Sequence, residues 1–189
     1  HDAIMRRSAD GAALLRRISD VETDLLSRST ALALAIARTR AECWSREADW
    51  YWLAFDPLGA GFFSMFAPSA YSGAFALNTV HESLAHAVID DADDLDRHLQ
   101  RIVDYAQLVG QFTERTAGQA ERGIRLPMPQ LERAIALMSG LRGVAADALR
   151  AVATRGPRAL SPDDLERVDR RIDAEIHPAF DAMLALLTS

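Results

Sequence analysis

The chain has 189 residues, 49% hydrophobic and 25% charged, enough for one domain with a sizeable core and too apolar for a disordered chain. Its net charge of −6 argues against the basic face of a nucleic-acid binder. No apolar run reaches the ~18 residues that span a bilayer, and the single cysteine, Cys43, excludes an intramolecular disulfide.

In chain order, the stretch from 10 to 48 predicts a helical hairpin. Leu14, Leu15, Ile18, Val21 and Leu25 recur at helical spacing. Leu32, Ile36, Cys43 and Trp44 continue the pattern after a break around Ser27–Thr30, where Ser and Thr favour caps. Cys43 reads as a partly buried structural residue of this helix, and a lone cysteine leans toward a cytoplasmic setting. The region 49–80 differs. It is rich in aromatic residues and punctuated by Pro57, Gly59, Gly61 and Pro68, which predicts an apolar loop that must pack against something.

The rest, 91–187, predicts helices. From 91 to 122 one apolar stripe runs through Leu95, Leu99, Ile102, Ala106 and Val109, with Asp93 or Asp94 at its start and Gly123 after its end. A second helix carries Leu131, Ile135 and Met138 and is expected to end near Gly140. A third, short one carries Val144, Ala148 and Val152 and stops at Gly156-Pro157. Ser161-Pro162-Asp163-Asp164 is a strong start signal for the last, with Leu165, Val168, Ile172 and Ile176 on its stripe. Pro178 is expected to kink it, and Phe180, Met183, Leu184 and Leu187 carry the pattern onward. With no strand alternation, the expected fold class is all-α: a single domain of roughly six helices in a bundle-like array with one aromatic-rich loop.

The motifs exclude more than they establish. His81-Glu82-Ser83-Leu84-Ala85-His86 has one residue too many for a helical zinc pair. Histidines four apart turn through ~400° and share a face, whereas five apart gives ~500° and splays them by ~140°. They read as unrelated histidines on a helix whose Leu84 and Val88 face the core. His98 reads as lying on the polar side of its helix, and His177, before Pro178, as a kink residue. The acids from Asp90 to Asp96 lack the glycine of a calcium loop and read as helix-start charge. Gly59-Ala60-Gly61 does not follow a strand, and there is no G-x-S-x-G elbow.

Several segments in succession carry a resemblance. Asp93 through Ile102, then Ala120-Glu121-Arg122-Gly123-Ile124-Arg125-Leu126-Pro127, then Leu131 through Leu141 resemble the DUF885 family of bacterial proteins. Upstream, Phe55-Asp56-Pro57-Leu58-Gly59-Ala60-Gly61 is similar to that family's turn before an aromatic loop. Downstream, Ile176-His177-Pro178-Ala179-Phe180 through Leu187 resembles its later apolar helix. The resemblance spans roughly residues 10 to 187. It implies an all-α, zinc-peptidase-like protein that hydrolyses an amide bond with a zinc-activated water. The family's H-E-x-x-P-G-H-H motif lies C-terminal to the matched segment, so no catalytic or metal residue transfers to any position here.

The first reading is therefore the N-terminal helical half of a DUF885-like metallohydrolase, forming a wall or lid of the substrate cleft. No cofactor is expected in this chain, and zinc only with the missing half. The expected partner is the remainder of the same protein, or a second chain carrying the catalytic motif. Trp52, Phe62, Phe63 and Arg125 are the candidate substrate-binding residues: aromatic rings for an apolar cleft, and a guanidinium fork for a carboxylate. A second reading is a stand-alone helical interaction or assembly module without catalysis, closing a homo-oligomer or binding a protein. A third is a metal-free small-molecule pocket within the bundle. None of the three needs nucleic acid or a membrane.

Overall fold

A computed structural model describes residues 2–53, 72–156 and 160–189. Among them are seven α-helices, a short 3-10 turn and no strand, so the fold is all-α. Contacts divide the chain into two compact units, His1–Met65 and Phe66–Ser189.

The first unit is built on a hairpin of α1 (Asp2–Ser19) and α2 (Arg28–Ser45), followed by α3 (Glu47–Trp50) and the 3-10 turn Tyr51–Leu53. The first helix starts at Asp2, eight residues before the apolar spacing suggests. The break falls at 20–27, and Ser27 caps α2 by accepting a hydrogen bond from the Thr30 amide at 3.2 Å. Small residues let the helices close. A Cβ on Gly11 would lie 2.6 Å from the Ser45 nitrogen and 2.8 Å from the Trp44 Cβ. One turn earlier, the Ser8 hydroxyl donates to the Trp44 carbonyl at 3.0 Å and accepts from the Ala48 amide at 2.9 Å. It thereby ties α1 to the corner between α2 and α3.

The second unit contains α4 (Ser72–Ala85), α5 (Ala92–Glu121), α6 (Met128–Arg155) and α7 (Pro162–Thr188). α7 packs against both α5 and α6, and α4 packs on α6. Their shared core includes Leu77, Ile102, Met138, Leu149, Ile172 and Phe180, all fully buried. α4 reaches back to Ser72, so 72–80 are helical rather than part of the aromatic loop. Leu77, Val80 and Leu84 give it one packed face at i, i+3, i+7. Val88 falls beyond the end of α4 and is 45% exposed, so it does not face the core as the sequence suggests. The Arg155 guanidinium donates to the Leu84 carbonyl at 3.0 Å, satisfying one acceptor of the last turn.

Asp93 and Asp94 charge the first turn of α5, as their place at its start suggests, and complement the helix dipole; the N-cap itself is Asp91, whose carboxylate accepts from the Asp94 amide at 2.8 Å. Two further expectations are corrected. α6 does not end at Gly140. It runs unbroken through Gly140 and Gly143, because Ala134, Met138, Leu141, Ala145, Leu149 and Val152 form a continuous buried stripe that outweighs two weak helix formers. Val144 is off that stripe and 51% exposed. His98 is not on a polar face: it is fully buried. Pro178 lies inside α7, which continues to Thr188. Ser161 caps α7 as its sequence signal indicates, accepting from the Asp164 amide at 3.1 Å.

Candidate functional site

Two places in the second unit bring chemistry-bearing side chains together. The first is a cleft of about 290 Å³ at the end of the unit where α5 stops, α6 starts and α7 stops. The sequence explains why the chain turns there. Gly123 adopts φ 75°, which a glycine reaches at no steric cost, and it closes α5 with two reversed hydrogen bonds. The Gly123 amide donates to the Ala120 carbonyl at 3.0 Å and the Ile124 amide to the Gln119 carbonyl at 2.9 Å. Pro127 then caps the start of α6 without a side-chain hydrogen bond.

The turn lays Ile124, Arg125 and Leu126 along the cleft, opposite Leu186 and Leu187 of α7, with Leu131 of α6. Thr116 of α5 also lines it, but its hydroxyl already donates to the Phe112 carbonyl at 2.7 Å. Gln119 is buried in the lining. Arg125 is exposed at this lining and forms no ion pair among the described residues. Other arginines of the unit are engaged: Arg142 with Asp181 at 2.8 Å, Arg150 with Asp169 at 2.7 Å and Arg171 with Glu175 at 3.2 Å.

The second place is a buried polar seam. His81 of α4 and Tyr105 of α5 are joined through His81 Nε2 and the Tyr105 hydroxyl at 2.8 Å, and Tyr105 stands edge-on to Phe180 with ring centres 6.2 Å apart. Burial raises the Tyr105 phenol above its ordinary value and lowers the His81 imidazole below its own. Each therefore stays neutral near pH 7, and the tautomer of His81 sets which of the two donates. Two helix turns before Tyr105, His98 Nε2 lies 3.1 Å from the Leu149 carbonyl. A carbonyl can only accept, so Nε2 carries the proton. Nδ1 is buried and has no partner among the described residues. Burial lowers the His98 pKa, only partly opposed by its hydrogen bond to Leu149. These groups pin α4 to α5 and α5 to α6; none opens onto the cleft lining.

Of the candidate site residues, Arg125 lines this cleft. Trp52 belongs to the first unit, half-buried in the 3-10 turn with the Tyr51 ring edge-on at 4.7 Å. Phe62 and Phe63, and most of the aromatic stretch 50–66, lie outside the described residues. His86 is exposed beyond the end of α4, apart from His81 and its partner. No three His, Cys, Asp or Glu side chains come together to hold a metal ion among the described residues. Nor is any described helix long and apolar enough to cross a membrane. The apolar partners of Arg125 were missed in the sequence, although Ile124 and Leu126 flank it in a segment already singled out.

A family model described as "Bacterial protein of unknown function (DUF885)" matches residues 1–189, and the chain belongs to that family. No curated protein and no solved structure matches the chain.

Proposed function

We propose that this DUF885 chain supplies the helical, substrate-facing part of a hydrolase, and that the cleft beside Arg125 is a stretch of its substrate-binding wall. The observation that carries the reading is a coincidence of place. The Gly123–Pro127 segment, one of the succession that carries the family resemblance, is the one whose turn lays Ile124, Arg125 and Leu126 along the cleft. At about 290 Å³ the cleft sits just below the range for small-molecule sites, roughly 300–1,000 Å³. It accommodates one residue or a short acyl group rather than a long polymer.

The described residues do not fit a catalytic zinc. His81 is spent on Tyr105, His98 on Leu149, and His177 stands 3.4 Å from Asp173 on the surface of α7. In this reading the metal ligands and the general base come from outside the chain. What this chain contributes is shape, an apolar wall and one positive charge.

The test is made on the protein at its full natural length. Zinc is quantified in the purified sample, and hydrolysis of a small set of dipeptides and blocked peptides is followed by mass spectrometry. The expected result is zinc-dependent cleavage that residues 1–189 alone do not perform. Stoichiometric zinc on residues 1–189 alone, or no cleavage by the zinc-loaded whole protein, overturns the reading.

A further inference from the structure

We infer that the cleft at the α5–α6 turn recognises a carboxylate attached to a short apolar group, with Arg125 as the residue that selects the carboxylate. The inference rests on reading this cleft as a substrate wall, and it adds the class of ligand. Its argument is one of charge and surroundings. The chain carries 27 acidic residues against 21 arginines, and Arg142, Arg150 and Arg171 of the same unit are held by carboxylates. Arg125 has no ion-pair partner among the described residues, yet it stands among Ile124, Leu126, Leu131, Leu186 and Leu187.

An arginine placed only for solubility gains no more from such a setting than packing for its aliphatic stem. An arginine meant to bind gains twice. The apolar walls keep competing water from one side of its fork, and they cover the hydrophobic part of the ligand. Its planar fork matches a carboxylate with two parallel hydrogen bonds, which an ammonium cannot do. The size of the cleft limits the apolar part to about one large side chain. Two sources share this chemistry: the C-terminal residue of a peptide, and a short fatty acid.

The experiment is an isothermal titration of the full natural protein with three probes: acetyl-Ala-Leu, its C-terminal amide, and hexanoate. Acetyl-Ala-Leu is expected to bind roughly tenfold or more tightly than its amide, the scale of one charge-assisted hydrogen bond. Arg125→Ala should erase that difference, and Arg125→Lys, a point charge without the fork, should restore only part of it. Because Arg125 is exposed, both variants are expected to keep the parent's circular dichroism. Hexanoate binding tenfold weaker than acetyl-Ala-Leu supports the peptide end as the source; equal, Arg125-dependent binding supports the fatty acid. An amide that binds as well as the acid, or an Arg125→Ala variant with unchanged affinity for the acid, overturns the inference. Cleavage measured on the same sample separates the two readings. Binding without zinc-dependent cleavage fails the hydrolase and keeps the carboxylate site, whereas cleavage without preference for the acid does the reverse.

Discussion

The glycine pair in α6 offers a quantitative test of the fold. Gly140 and Gly143 both lie on the exposed side of a 28-residue helix, and a Cβ added at either meets nothing within 4 Å. Gly123 is the glycine with positive φ among the described residues, so neither α6 glycine needs a conformation that alanine lacks. Replacing each by alanine removes backbone freedom from the unfolded chain without adding a clash, a gain of about 0.5–1 kcal/mol apiece. Gly140→Ala together with Gly143→Ala is then expected to stabilise the second unit by ~1–2 kcal/mol. At ~4 °C per kcal/mol for a unit of this size, the thermal midpoint should rise by ~4–8 °C. The assay is thermal and urea unfolding followed by circular dichroism, with an unchanged urea dependence as the sign that only stability moved. A lower midpoint in the double variant would refute the reasoning. It would mean that the glycines serve a turn or a close contact, as the expectation of a helix end near Gly140 supposes.

Three other outcomes follow from the same geometry. Gly11→Ala should destabilise the first unit by about 1–3 kcal/mol, because its new methyl would meet the Ser45 backbone nitrogen at 2.6 Å; an unchanged melting profile would show that α1 and α2 are not that close. Ser161→Ala should cost about 1 kcal/mol by removing the acceptor for the Asp164 amide, read as a lower urea midpoint, and no loss would refute the cap. Buried His98 makes stability pH-dependent. Its folded pKa lies below the unfolded value of about 6.5, so as pH falls through 6.5 the unfolded chain takes up a proton that the native state refuses, and stability is lost from there down toward the folded pKa. His81 acts in the same direction, while Asp94, Asp164 and Asp181, all held low by arginine or serine partners, lose their contribution only below the usual carboxylate range. His98→Gln, which keeps a donor for the Leu149 carbonyl, should flatten urea midpoints measured between pH 7.5 and 5; an unaltered slope would show that His98 is not the group.

Most of the helices were legible because burial follows spacing. Leu95, Ile102, Ala106 and Val109 on α5, and Val168, Ile172, Ile176, Phe180 and Met183 on α7, are buried where their periodicity puts them. The misplacements share a cause, which is reading residue type ahead of position. His98 was assigned to the polar side as a histidine, yet it stands three residues after Leu95 and four before Ile102, on the stripe itself, with Tyr105 one step further. A helix with neighbours on several sides buries a broad arc, and polar side chains inside that arc are tolerated once bonded, as His98 is to Leu149 and Tyr105 to His81. The break at Gly140 came from reading the glycine and overlooking the 4-3-4-4-3 stripe from Ala134 to Val152 that passes it. The cleft was less legible still. Its lining comes from α5, α6 and α7, and single-helix periodicity carries no information about which ends meet.

The electrostatics of that end decide whether Arg125 governs the cleft. Each helix end carries about half a unit of charge that fades within one turn. α6 begins there with its positive end, and no side chain caps it. The last carbonyls of α5 are already occupied by the Gly123 and Ile124 amides, which quenches most of the negative end of that helix. What remains is the start of α6 and the full charge of Arg125. At physiological salt the screening length is ~8 Å, so charges farther than that from the cleft repel an approaching anion weakly. Affinity for a carboxylate should therefore follow Arg125 far more steeply than bulk salt. Binding of acetyl-Ala-Leu that collapses between 50 and 300 mM salt as completely as it does in Arg125→Ala would show that the diffuse field, and not this one guanidinium, attracts the ligand.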